Sequence, residues 1–134
     1  MPIPKEGLYL SKPLAPGKIP RLNPFTNIRS FSAGETVKFG RAVQISSDDP
    51  VIGINMQENT GKMVGVSHLS ADLHNTDVTA PAYASGTAMG VVDQGPIMVF
   101  VEESVDVGDS VRVRITADTG KYVGSFCKTS DSGK

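Results

Sequence analysis

Short runs of alternating apolar and polar residues, separated by glycine-containing turns, are the feature that most limits the folds open to this sequence. Between Glu35 and Ile45, the side chains of Val37, Phe39, Val43 and Ile45 all stand at odd positions. Alternation with a period of two predicts strands, and no stretch repeats apolar residues at helical spacing for three turns. The sequence therefore predicts an all-β fold, a small β-sandwich or barrel of jelly-roll-like type.

The predicted strands follow one another at about eight to twelve residues, as is typical of such folds. They cover residues 35–45, 51–56, 62–68, 87–92, 96–102, 110–116 and 121–127. Asp93-Gln-Gly95 predicts a hairpin between two of them, and Ser70–Ser85 predicts a long loop. In Ser110–Thr116, one predicted face carries Val111, Val113 and Ile115 and the other carries Arg112, Arg114 and Thr116.

Proline dominates the N-terminal stretch, where six of the nine prolines fall within the first 24 residues. Proline lacks an amide donor and forces its predecessor into extended geometry, so this stretch is predicted to be neither helix nor central strand. We expect an extended proline-rich N-terminal arm, residues 1–30, followed by a single β domain, residues 31–134. Apolar residues between the prolines indicate that the arm lies on a surface, either its own domain or another subunit.

Charge is divided unevenly along the chain, although the net charge is only −1. Residues 1–41 carry seven basic and two acidic side chains, a balance of +5, whereas residues 42–134 carry six basic and twelve acidic ones, a balance of −6. Such a division predicts two surfaces with different partners, or an arm from one copy lying on the body of another.

Nothing in the sequence predicts a membrane protein or an exported one. No apolar run approaches the ~20 residues that cross a bilayer. The N-terminus lacks an apolar signal region, so we expect synthesis in a cytoplasm. The single cysteine, Cys127, excludes an intrachain disulfide and predicts a half-buried strand residue.

Candidate catalytic and metal-binding residues do not form a convincing set. Asp118-Thr-Gly120 matches the signature of aspartic proteases, but Lys121 follows it and the same residues make an ordinary hairpin turn. His68 and His74, with Asp72 and Asp77 nearby, lack further histidines that would complete a transition-metal site. The acidic pairs Asp48/Asp49 and Glu102/Glu103 are expected to be solvated. We predict no enzyme, no metal and no cofactor.

The order of turns and strands carries a resemblance to a known family. Gly34-Glu-Thr-Val37 leads to Phe39-Gly-Arg-Ala-Val43, and Gly61-Lys-Met-Val-Gly-Val66 follows. After the strand Ile97–Val101 comes Val105-Asp-Val-Gly-Asp-Ser-Val111, and then the Asp-Thr-Gly120 turn. Over residues 31–124 this order resembles the small capsid decoration, or cement, proteins of tailed bacteriophages. Two features depart from the family pattern, the polar C-terminus and the long proline-rich arm, whose role is inferred here from composition. Because of the polar C-terminus, barrel closure is expected to use the arm or a neighbouring subunit.

The resemblance implies a structural protein on the outer surface of the phage capsid. Its implied partners are the major capsid protein, whose subunits it would bridge, and further copies of itself in a homodimer or homotrimer. Composition adds three candidate docking residues at the end of the arm, Arg21, Phe25 and Arg29, because they combine charge with an apolar anchor.

Two other functions compete with the decoration hypothesis. A single-stranded nucleic-acid-binding β-barrel is the first, although the acidic body and the 6% aromatic content make nucleic acid an unfavoured partner. A small hydrolase that works as an oligomer through Asp118 or an acidic pair is the second.

Overall fold

The described part of the chain is built from short strands. The structure, a computed structural model, describes residues 16–19, 25–57, 61–69 and 82–128. Within these ranges there are nine strands and no helix, and so no helical membrane span. The strands are β1 (Asn27–Ala33), β2 (Val37–Lys38), β3 (Ala42–Ile45), β4 (Ile52–Asn55), β5 (Met63–Ser67), β6 (Ala82–Tyr83), β7 (Ala88–Gln94), β8 (Arg112–Val113) and β9 (Phe126–Cys127).

Five of the strands close into a barrel in the order β1-β4-β3-β5-β7. β1 completes the circle because it pairs with β4 in parallel and with β7 in antiparallel register. The prediction of a small all-β barrel is confirmed. The first four residues of β1 belong to the stretch predicted as the arm, so the end of that stretch takes part in closing the barrel.

The interior of the barrel explains the alternation in the sequence. Phe31, Val37, Phe39 and Val43 point into one buried cluster together with Ala33, Tyr83, Met89 and Val91. Phe39 and Tyr83 meet edge to face, with ring centroids 5.2 Å apart, a favoured geometry for aromatic pairs.

A second cluster covers the outer face of the barrel at β3 and β5. Ala42 and Val66 pack there against Met56 and Phe126, with Ile97, Val99, Val113 and Ile115 around them. Because β3 has the interior on one face and this layer on the other, Ala42 and Val43 are both buried although they point in opposite directions.

The segment predicted as the strand 96–102 does not form a hairpin with β7. Its backbone hydrogen bonds go instead to parts of the chain that are distant in sequence. The Phe100 amide donates to the Gly40 carbonyl, and the Phe126 amide donates to the Phe100 carbonyl. The hairpin prediction was wrong because the segment joins the barrel to residues 102–128, which include β8 and β9 and are called the C-terminal layer below.

Part of the N-terminal arm packs on its own domain. In the described segment Pro16–Ile19, the Gly17 amide donates to the Met98 carbonyl at 2.7 Å, and the Leu69 amide donates to the Gly17 carbonyl at 2.7 Å. A methyl group on Gly40 would lie 2.8 Å from the Gly17 nitrogen and 2.8 Å from Pro16 Cβ. Glycine at position 40 therefore permits the segment to approach the barrel this closely.

Arg114 is fully buried, although the alternation in Ser110–Thr116 placed it on the face opposite the valines. Its guanidinium binds Glu102 through two hydrogen bonds, Nε to Oε2 at 2.7 Å and Nη2 to Oε1 at 3.0 Å. Ser125 Oγ donates to Glu102 Oε2 at 3.0 Å. The expectation that Glu102 is solvated was wrong, since a buried cation supplies its partner.

Two local predictions have different outcomes. Ala82 and Tyr83, placed in a long loop, form β6 and pair with β2; residues 70–81 lie outside the described residues. Cys127 lies in a strand as predicted, but it is fully rather than half buried.

Candidate functional site

The beginning of β1 carries two of the three predicted docking residues. Phe25 is 73% exposed just before the strand, and Arg29 is exposed within it. Arg21 lies outside the described residues. The structure therefore brings Phe25 and Arg29 to one end of one strand and does not describe where Arg21 lies.

The strand end is held in place by Asp93 on the neighbouring β7. Asn27 Nδ2 donates to Asp93 Oδ1 at 2.8 Å, and Arg29 Nη1 lies 3.9 Å from Asp93 Oδ2. The Arg29 guanidinium also lies 5.5 Å from the ring centroid of Phe31. An exposed ion pair of this length contributes at most about 1 kcal/mol, so the Arg29–Asp93 contact adds little to the stability of the strand end.

A second exposed apolar surface was not predicted from the sequence. In the segment 105–111, hereafter the 105–111 turn, Val105, Val107 and Val111 are all exposed. The turn is nevertheless ordered by local bonds: the Asp106 amide donates to Asp109 Oδ2 at 2.8 Å, and the Asp109 amide donates to the Asp106 carbonyl. The three valines are therefore presented to solvent on a turn that is fixed by its own hydrogen bonds.

Asp109 joins this turn to the C-terminal strand. The hydrogen bond from the Asp106 amide, followed by the contact with Lys128, lowers the pKa of the Asp109 carboxyl below its usual 3.8. The Lys128 ammonium lies 3.2 Å from Asp109 Oδ2. The sequence signal that could have indicated this exposed turn is Val105-Asp-Val-Gly-Asp109. The exposure of Val111 was missed because alternation grouped it on one face with Val113 and Ile115.

The two exposed surfaces belong to different walls of the barrel. In the order β1-β4-β3-β5-β7, β3 and β5 are the strands that do not neighbour β1. The C-terminal layer that carries the 105–111 turn packs on β3 and β5. The two surfaces with exposed apolar residues therefore do not lie on the same strands of the barrel.

Comparison with known families decides what kind of protein this is. The family described as phage structural cement protein (E217 gp24/Pam3 gp6) matches the chain over residues 7–134. This chain belongs to that family. No curated protein and no solved structure matches the chain significantly.

Membership makes the protein a structural component of the phage capsid. The recognised resemblance is thus confirmed, and it reaches further than residues 31–124. The match begins at residue 7 and so includes most of the proline-rich arm. The arm is part of the family pattern rather than an addition peculiar to this cement protein.

The candidate catalytic residues fit a structural role in this cement protein. Asp118 and Lys121 exchange backbone hydrogen bonds, and the Thr119 amide donates to Asp118 Oδ1 at 2.7 Å. Gly120 has φ of +69°, so Asp118-Thr-Gly120 is the predicted hairpin turn. His68 packs against Gly90, and its Nδ1 lies 2.7 Å from the Leu69 carbonyl; His74, Asp72 and Asp77 lie outside the described residues.

Proposed function

We propose that this cement protein binds the outer surface of the phage head and stabilises the shell by bridging neighbouring major capsid protein subunits. The observation that carries the proposal is the family match over residues 7–134. Docking on the outer face leaves the shell's interior to the packaged DNA. Bridging opposes the internal pressure because two neighbouring subunits could separate only after the copy between them had released one of them.

The barrel supports bridging because it offers a rigid body with exposed residues on different sides. We assign one contact to the beginning of β1, through Phe25 and Arg29, with Arg21 of the arm beside them in sequence. We assign the other to the 105–111 turn. Each contact needs only modest affinity, since many copies acting together give a large total effect.

Self-association into a homodimer or homotrimer belongs to the same proposal. The basic arm and the acidic body have opposite charges, which favours contact between copies. The segment Pro16–Ile19 packs on its own domain, so residues 1–15 are the part of the arm before that segment that we also assign to a neighbouring copy or to the shell.

The direct experiment mixes the purified protein with expanded, undecorated shells of the same phage. We expect saturable binding in co-sedimentation, density on the outer face of the shell in electron microscopy, and disruption of the decorated shell at a higher temperature. Absence of binding, density on the inner face or an unchanged disruption temperature would contradict the proposal.

Two truncations separate the roles of the arm. Removal of residues 1–24 also removes Pro16–Ile19, whereas removal of residues 1–15 leaves that segment on the barrel. We expect both proteins to keep β-type circular dichroism and to bind shells much more weakly. Undiminished binding by both truncated proteins would show that the arm does not dock.

Point variants test the predicted residues without disturbing the fold. Phe25→Ala and Arg29→Ala change exposed side chains, so the free energy of unfolding should move by no more than about 1 kcal/mol. We expect weaker shell binding in both. Val51→Ala is the matched control, because Val51 is exposed beside the opposite end of β1, where the Ser32 amide donates to its carbonyl.

A further inference from the structure

A small open cavity lies between three separate parts of the chain. Its volume is about 190 Å³, enough for about six waters at ~30 Å³ each. The lining residues come from the segment around β2, from the end of β4 and from the turn before β9: Thr36, Lys38, Arg41, Asn55, Tyr122 and Val123. Two of these are cations and none is an anion. We call this cavity the Lys38–Arg41 pocket.

Aromatic rings hold the inner cation of the pocket in place. The Arg41 guanidinium carbon lies 4.2 Å from the ring centroid of Phe100 and 5.1 Å from that of Tyr122. Arg41 is only 5% exposed, and Tyr122 is 47% exposed. Stacking leaves a guanidinium's N–H groups in its own plane, and burial weakens the solvent screening of its charge.

The outer cation stands over the same tyrosine. Lys38 Nζ lies 5.3 Å from the Tyr122 ring centroid, and Lys38 is exposed to solvent. Among the residues that the structure describes, no carboxylate forms an ion pair with Lys38. The pocket therefore has one cation fixed at its inner wall and one at its mouth.

One carboxylate lies beside the pocket, and its neighbours are the lining residues. Glu35 Oε1 accepts hydrogen bonds from the Asn55 amide at 2.9 Å and from Asn55 Nδ2 at 3.1 Å. Among the lining residues themselves, Lys38 and Arg41 carry positive charge and none carries negative charge. A carboxylate ligand is complementary to them, and a small one fits the volume.

We propose that the Lys38–Arg41 pocket receives the carboxylate of an aspartate or glutamate side chain from the protein surface to which this cement protein docks. The inference rests on the proposed function. The acceptor oxygens lie between the Arg41 guanidinium and the Lys38 ammonium, and the methylene groups rest on the Tyr122 ring. A side chain suits the pocket better than a nucleic acid does, because residues 42–134 carry a balance of −6 and repel a polyanion.

The first test uses the isolated protein and a probe with one carboxylate, N-acetylaspartate methylamide. In a two-dimensional amide NMR titration, we expect saturable shifts at Lys38, Asn55 and Tyr122. Lys38→Gln should remove them, and Lys62→Gln, a change at another exposed lysine on the barrel, should retain them. Dimethyl phosphate, the probe for a nucleic-acid backbone, should bind more weakly. Shifts that do not saturate, persist in Lys38→Gln, or are matched by dimethyl phosphate overturn the inference.

The second test measures binding to undecorated shells. We expect Lys38→Gln to weaken binding about tenfold, as for an interface residue of clear importance, Lys38→Glu to weaken it further, and Lys62→Gln to change it less than twofold. If the unmodified protein binds shells and Lys38→Glu binds equally well, the pocket is not a docking site and the proposed function stands. If the unmodified protein does not bind shells, the proposed function fails, and the titration still decides whether the pocket takes a carboxylate.

Discussion

The buried ion pair between Glu102 and Arg114 offers the sharpest test of how the C-terminal layer is held on the barrel. Both side chains are 2% exposed, and two hydrogen bonds join them. Glu102→Gln keeps the shape of the side chain but leaves the Arg114 charge without its anion. Breaking a buried pair in this way costs about 3–5 kcal/mol, which lowers the unfolding midpoint of a chain of this size by roughly 10–20 °C.

Urea and thermal unfolding, followed by circular dichroism, measure the change in the free energy of unfolding. Two further variants serve as comparisons. The double variant Glu102→Leu with Arg114→Met replaces both charges by apolar groups, so it should be more stable than Glu102→Gln alone. Lys128→Met removes an ion pair that is about one-third exposed, and it should cost less than about 1 kcal/mol. The reasoning is refuted if Glu102→Gln costs no more than Lys128→Met, or if the double variant is less stable than the single one.

Two further predictions concern the arm and the 105–111 turn. Gly40→Ala places a methyl group against the segment Pro16–Ile19, at a residue with a φ of +75°. It should destabilise the protein by about 1 kcal/mol or more and speed amide exchange where that segment pairs with the barrel. Gly108→Ala is the control, because Gly108 has a φ of +95° and nothing within 4 Å, and it should leave that exchange unchanged. The Asp109 carboxyl should titrate below pH 3.8 by NMR, because the Asp106 amide and then Lys128 lower its pKa, and in Lys128→Met the midpoint should rise. Because that pKa is lowered on folding, the stabilisation is present above the usual value and is lost as the pH falls through the lowered one; a midpoint at or above 3.8 in the unmodified protein would contradict this.

Local patterns predicted those parts of the fold whose environment repeats along the chain. Val37, Phe39 and Val43 were correctly expected on one buried face, because a barrel interior selects apolar side chains at every second position. Asp118-Thr-Gly120 was correctly expected as a turn, because its conformation depends mainly on the glycine's access to positive φ. Phe25 and Arg29 were predicted as docking residues; both are exposed, and their role in docking stays a proposal.

Residues whose partners lie far away in sequence could not be predicted in this way. Arg114 was assigned to a face without a partner, and only the fold brings Glu102 and Ser125 to it. The exposure of Val111 follows from where the second cluster ends, which alternation does not show. The pocket at Lys38 and Arg41 likewise depends on Phe100 and Tyr122, which lie about 60 and 80 residues later in the sequence.

The sequence by itself determined that this is an all-β chain, because strand period and turn glycines are properties of neighbouring residues; the extended course of the proline-rich arm stays a prediction. It also carried enough of the family's order of turns to indicate a capsid cement protein. Only the tertiary structure decided that β1 closes the barrel, that the segment Pro16–Ile19 lies on its own domain, and that two cations share one tyrosine. Those features arise from contacts between distant segments, and their energies depend on burial that no local pattern contains.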